Sequence, residues 1–134
     1  MKAIIAGSRS FTEAIALDLI RKFAQEHDWN KTTITEVVSG GARGPDRAGE
    51  AWAREAGIPI RVFRPQWDTY GKRAGFVRNY EMGNYGDVLV AVWDRSSRGT
   101  LHMIEFMKRL KKPQFILEGL KDSEGLERLY VHRS

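Results

Sequence analysis

The sequence contains no cysteine, which excludes a disulfide framework, a thiolate metal site and a thiol nucleophile. Its three histidines, His27, His102 and His132, are scattered, and no pair sits at ligand spacing, so no metal is expected. No apolar run approaches the roughly 18 residues that cross a bilayer. The opening stretch MKAIIAGSRSFTE turns polar too early for a signal-peptide core. A cytoplasmic location and no membrane partner are the expectations. Charge of one sign is also missing: 22 Lys and Arg stand against 17 Asp and Glu, a net charge of +5. That balance is too mixed for a disordered basic tail and leaves room for an anionic partner, a nucleotide or a nucleic acid. With 42% hydrophobic residues spread in short runs over 134 residues, one packed domain spanning 1–134 is expected.

Five short runs have strand character: Ala3 to Ala6, Glu36 to Val38, Ile60 to Phe63, Val88 to Trp93 and Gln114 to Leu117. Helical periodicity lies between them. Thr12 to Glu26 carries Ile15, Leu19 and Phe23 at i, i+4, i+8, with Thr12 placed to cap its start. Pro45 to Ala56 opens with proline at its first position, keeps Ala48, Ala51 and Trp52 on one face, and stops at Gly57 before Pro59. A third helix over about 72–82 would turn Phe76 and Tyr80 inward. A fourth, over about 100–110, would do the same with Leu101, Ile104 and Met107. Residues 126–131, with Leu126, Leu129, Tyr130 and Val131, read as a last helical turn or an extra edge strand.

Strands that alternate with helices, several of them unbroken apolar runs, predict a Rossmann-like three-layer α/β/α sandwich around a mainly parallel sheet of about five strands. In such a sheet every loop that follows a strand reaches the same edge, where ligands bind.

Three of those loops have unusual composition. Gly7-Ser8-Arg9-Ser10 joins a residue that admits close backbone approach to two hydroxyls and a guanidinium, a set suited to phosphate or ribose or to capping the next helix. Ser39-Gly40-Gly41-Ala42-Arg43-Gly44-Pro45-Asp46 leads from a strand into a helix. Its glycines would bare backbone N–H groups toward an anion, with Arg43 closing over it. Its spacing matches neither the dinucleotide fingerprint nor the Walker A loop, so neither an NAD-dependent dehydrogenase nor an ATPase is expected. Asp46, in the first helical turn, either complements the helix dipole or contacts ribose or base.

The third loop, Trp93 to Thr100, sets Asp94 at the end of the most hydrophobic strand and Gly99-Thr100 at a helix start. Either it contacts the ligand or it simply caps the helix. Gly71 to Asn79 adds Lys72, Arg73, Arg78 and Asn79 on the same side, and Trp67 and Tyr70 just before them are core or a stacking platform.

Taken together, these segments resemble the SLOG superfamily, in particular its single-domain YspA-like branch, from residue 3 to about 117. The run VSGGARGPDRAGEAWA carries most of the specificity. The resemblance implies a Rossmann-like fold that binds a nucleotide or nucleotide derivative and needs no cofactor. The nucleotide-binding set would be Gly7, Ser8, Arg9, Ser39, Gly40, Gly41, Ala42, Arg43, Gly44, Asp46, Asn79, Gly99 and Thr100. Self-association is implied as well.

Two related groups imply alternatives. The LOG phosphoribohydrolases, which cut the base from a nucleoside monophosphate, use an Arg on the helix before their fourth strand and a Glu three residues after the Thr of a Gly-rich loop. Arg78 matches the first; Met103 stands where the Glu is expected, which leaves Asp94 with Arg78 as the catalytic pair of an enzyme and Glu105 as a surface or ion-pair residue. The DNA-processing DprA group implies single-stranded DNA in a groove of Arg9, Arg43, Arg47, Lys72, Arg73 and Arg78. A binding module, acting as a sensor or sequestering protein, leads because it needs no catalytic acid.

Overall fold

A computed structural model describes residues 1–121 and 127–133, with side chains placed through Glu118. Six strands form one sheet in the order β3-β2-β1-β4-β5-β6. The strands are β1 (Lys2–Gly7), β2 (Glu36–Ser39), β3 (Ile60–Val62), β4 (Val88–Trp93), β5 (Gln114–Lys121) and β6 (Glu127–Arg133). The first five are parallel, and β6 returns antiparallel along β5. Of the two alternatives for the C-terminal segment the edge strand holds, while Leu126 and the packing of Leu129, Tyr130 and Val131 lie outside the described residues and side chains.

Alternation along the strands divides the core in two, as a sheet covered on both faces requires. Ala3, Ile5, Val37, Val90 and Val92 face one way, against α1 (Glu13–Glu26) and α2 (Pro45–Ala56). Ile4, Ala6, Val38, Leu89 and Ala91 face the other, against α4 (Ala74–Tyr85) and α5 (Arg98–Arg109). This is the Rossmann-like α/β arrangement the sequence predicts. Among the described residues no helix is long and apolar enough to cross a membrane.

The helix ends follow local chemistry. The Thr12 hydroxyl accepts the Ile15 N–H at 3.2 Å and starts α1. Pro45 opens α2 and Gly57, at φ 72°, closes it with its N–H on Ala53 and Arg54 carbonyls, a left-handed cap that glycine adopts without strain. The last carbonyls of α4 are held from outside: the Lys112 ammonium donates to Gly83 at 2.8 Å, Asn84 at 3.2 Å and Gly86 at 2.8 Å. Lys112→Met leaves those acceptors without their cation and is expected to lower stability by about 1–2 kcal/mol in denaturant unfolding.

Three inward faces differ from the sequence pattern. On α1 the buried residues are Ala16, Ile20, Phe23 and Ala24, and Ile15 is exposed. Small Ala16 and Ala24 let the helix lie close, which the larger Ile15 would prevent. On α4 the buried face is Ala74, Asn79, Met82 and Gly83, and Phe76 and Tyr80 lie outside it. A Cβ on Gly83 would come within 2.5 Å of the Phe106 ring, so close approach of α4 and α5 is made by glycine. Phe76 and Tyr80 instead flank the His102 ring, at 4.4 and 4.9 Å between centroids. On α5, Ile104 and Met107 are buried as expected, whereas Leu101 is not. Between β3 and α4 run a short helix, α3 (Trp67–Tyr70), and a 3-10 turn (Gly71–Arg73), neither of which buries a residue. Trp67 and Tyr70 are therefore not core.

Candidate functional site

The chain order of the strands reverses between β1 and β4: β2 and β3 build outward from one, β5 from the other. Loops that leave the sheet at such a switch point part from each other and open a crevice beyond the strand ends. A cleft of about 500 Å³ lies there, bordered by Gly7 at the end of β1 and Arg9 after it, Ala42 before α2 and Asp46 in its first turn, Arg78 and Asn79 on α4, Asp94 after β4, and Gly99 and Thr100 in the first turn of α5. The three loops singled out in the sequence converge on it.

The β1 and β4 loops are stitched together. The Ser8 N–H donates to the Val92 carbonyl at 2.8 Å, and the Ser8 hydroxyl accepts the Asp94 N–H at 3.1 Å. Ser8 is buried, so its hydroxyl braces the two loops. Gly7 is required for this closeness, because a Cβ there would lie 2.3 Å from the Val92 carbonyl oxygen. Asp94 is similarly engaged: it accepts the Ser10 hydroxyl at 2.7 Å and the Ser96 and Ser97 N–H groups at 2.8 Å each. Partial burial works against its charge, but these donors and the Ser8 hydroxyl outweigh it and hold the carboxyl below the ordinary aspartate range. Asp94 is thus an ionised loop organiser with its oxygens already occupied.

The glycine-rich loop is arranged differently from the anion cradle its composition suggests. The Gly41 N–H is taken by the Ser39 hydroxyl at 3.0 Å, which in turn donates to Glu50 at 2.7 Å. The Ala42 N–H is taken by Asp46 at 3.2 Å. Gly40 is needed for what lies above it: a Cβ would meet the Arg78 guanidinium at 2.4 Å and the Asp46 carboxylate at 2.8 Å. Gly44, at φ 80°, turns the chain into α2 against the Phe11 carbonyl. Arg43 is exposed. It borders a second hollow together with Arg9, Gly44 and Arg47, on the other side of the loop. The structure therefore brings Ala42 and Asp46 of this loop to the cleft and leaves Gly40 and Gly41 beneath or beside it and Arg43 outside.

The cleft wall also brings a buried carboxylate and a guanidinium near each other, which no motif announces. Asp46 on α2 is buried, 4% exposed, and burial raises its pKa to about 6 despite the Ala42 and Gly7 N–H groups and the nearby Arg78 charge. The Arg78 guanidinium donates to the Gly40 carbonyl at 2.7 Å. Its pKa is drawn down by burial, while Asp46 opposes that trend and Arg9 adds to it. The Arg78 Nε is buried without a protein acceptor. Arginine here is a cation fixed by the fold with donor capacity left over.

Asn79, next to it, donates from Nδ2 to the Gly99 carbonyl at 3.1 Å and faces His102 Nδ1 at 3.1 Å. Since Nδ2 is the donor, His102 Nδ1 must be the acceptor and its proton sits on Nε2. Burial and the Arg109 charge lower the His102 pKa, which keeps it in that neutral form. Asn79 thereby ties α4 to the start of α5.

The Thr100 hydroxyl donates to Ser97 at 3.0 Å, and the Ser97 oxygen also caps α5 through the Thr100 N–H at 3.3 Å. Met103, at the place the LOG resemblance gives to a catalytic Glu, is buried at 1% exposure, and Glu105 is exposed.

This fold defines a Rossmann-like α/β protein with a cleft at the switch point of the sheet. The sequence profile of the YAcAr family, described as the YspA, cpYpsA-related SLOG family, matches residues 1–70. The chain belongs to that SLOG family, whose membership points to a nucleotide-related function. It is also similar to the Gene 61 protein of Mycobacterium phage D29, with 42% identity over 72 residues, 49% of this chain and 58% of that protein. The chain thus spans less than two thirds of that relative's length.

Proposed function

We propose that the chain binds a nucleotide or nucleotide derivative in this cleft and acts as a sensor or sequestering module. The observation that carries the proposal is the concentration of Arg9, Lys72 and Arg78 around a crevice closed on one side by the start of α5 at Gly99 and Thr100. A phosphate there would meet fixed guanidinium donors and the positive end of a 12-residue helix. Arg78 Nε, buried and lacking an acceptor, supports the same placement. Gly7, Ser8, Asp94 and Asn79 shape the crevice around the ligand, and the nearby Asp46 carboxylate favours the charged form of Arg78.

Calorimetric titration with nucleoside mono- and diphosphates tests this, with mass spectrometry of any small molecule that copurifies. Saturation by one nucleotide is expected, with no gain from longer oligonucleotides. Affinity that grows with oligonucleotide length and falls steeply with salt would favour single-stranded nucleic acid instead, tracked past Arg9 to Arg43 and Arg47. In that case Arg43→Ala with Arg47→Ala would weaken oligonucleotide binding and spare the mononucleotide.

One observation favours an enzymatic reading in second place. Asp46, with a pKa of about 6, lies in the cleft beside Arg78, and a carboxyl poised near neutrality is suited to proton transfer. Asp94, held in the charged form by its donors, is less suited. Free base released from a nucleoside monophosphate, and lost in Asp46→Asn with binding retained, would support N-glycosidic cleavage.

A further inference from the structure

We infer that the base of the bound nucleotide is recognised by stacking on Trp67 and Phe76, so that the site accepts adenine and guanine alike and rejects sugar phosphates that lack a base. The inference rests on the nucleotide reading above.

Trp67 is 55% exposed and Phe76 43% exposed, and both border the cleft. Large aromatic side chains left in water at the rim of a cleft have apolar area to offer a flat ligand. They come from separate elements, Trp67 at the start of α3 and Phe76 in the first turn of α4. The amide and carboxylate groups that could read a base edge through paired hydrogen bonds are largely engaged. Asn79 Nδ2 is committed to Gly99 and His102. Asp46 takes the Ala42 N–H and faces that of Gly7, and Asp94 takes Ser10, Ser96 and Ser97. What remains is cationic and suited to phosphate, a single polar group such as the Ser96 hydroxyl, or aromatic. An aromatic face carries no donor or acceptor code, so it registers ring area and not base identity.

The test is calorimetry with AMP, GMP and ribose 5-phosphate on the wild-type chain and on Trp67→Ala, Trp67→Phe and Phe76→Ala. AMP and GMP are expected to bind within about threefold of each other, and ribose 5-phosphate about tenfold more weakly. Trp67→Ala is expected to cost AMP about tenfold and leave ribose 5-phosphate within about twofold, with Trp67→Phe recovering most of the loss. Since α3 buries no residue, the substitution removes no core contact, and unchanged ribose 5-phosphate binding reports an intact cleft. Equal binding of AMP and ribose 5-phosphate, a preference above about tenfold between AMP and GMP, or an inert Trp67→Ala overturns the stacking inference and leaves the nucleotide reading standing. Failure of all three ligands to bind the wild-type chain overturns the nucleotide reading and the stacking inference with it.

Discussion

Arg78→Met is expected to weaken binding of phosphate-bearing ligands severely and to lower the stability of the unliganded chain by about 1–3 kcal/mol. Both effects come from one guanidinium. It gives the cleft its most firmly placed cation, and it shares the space above Gly40 with the buried Asp46 carboxylate. Methionine of similar length fills the volume but leaves Asp46 without its opposite charge and the Gly40 carbonyl without the donor at 2.7 Å. The Asp46 charge, already disfavoured by burial, loses the favourable field of that guanidinium. The Asp46 pKa should then rise above about 6, because the nearby Arg78 charge is gone. Affinity is expected to fall by about a hundredfold or more, from the loss of charge-assisted bonds in a partly desolvated site. Titration calorimetry and urea unfolding check the two parts separately. Binding within about threefold of wild type would place the phosphate elsewhere.

The second large effect is a dependence on pH between about 6 and 4 that belongs to Asp46. Its folded pKa is about 6 against an ordinary value of 3.8, so over this interval the folded chain holds a proton that the unfolded chain has released. Stability contributed by this group therefore rises as pH falls, from no gain above about 6 to a full gain of about 3 kcal/mol below 3.8. Asp94 works in the opposite sense and lower down. Its folded pKa is depressed, so its contribution is present above its ordinary value and lost as pH falls through the folded one. Asp46→Asn is expected to erase the rise between pH 6 and 4 while leaving the loss in stronger acid. Denaturant unfolding of both chains at pH 7.5, 5 and 4 reads this directly, and identical pH slopes would count against a buried ionisable Asp46. The same protonation frees the Arg78 charge from its partner, so sulfate is expected to bind more tightly at pH 5 than at pH 7.5 in the wild-type chain and equally in the variant.

The parts of the fold legible in the sequence are those fixed by neighbours along the chain. Pro45 and Gly57 mark both ends of α2 because one lacks an N–H and the other takes a left-handed φ. Continuous apolar runs mark β1 and β4 because both their faces are covered. The site loops were legible for a similar reason: glycines and hydroxyls between a strand and a helix have few other uses, and parallel crossovers carry them to one edge.

What sequence spacing does not carry is side-chain direction. Arg43 lies in the glycine-rich loop yet faces the second hollow, because Gly41 at φ 73° and Gly44 at φ 80° turn the chain on either side of it. Asp46 and Arg78, 32 positions apart in the sequence, both reach the space above Gly40, a juxtaposition that only tertiary packing creates. Phe76 and Tyr80 look like core by residue type, but the small Ala74 and Gly83 lie on the face of α4 that is buried.

The cleft is a seam between two stretches of chain. One lip, from Gly7 through Asp46 to Trp67, falls within the segment matched by the family profile at residues 1–70. The other, with Arg78, Asn79, Asp94 and Thr100, is contributed by later sequence. A protein that shares only the first lip inherits one wall of the crevice, with Arg9, but not the Arg78 cation. Transferring a ligand from such a relative to this chain, or the reverse, therefore depends on comparing the far lip residue by residue.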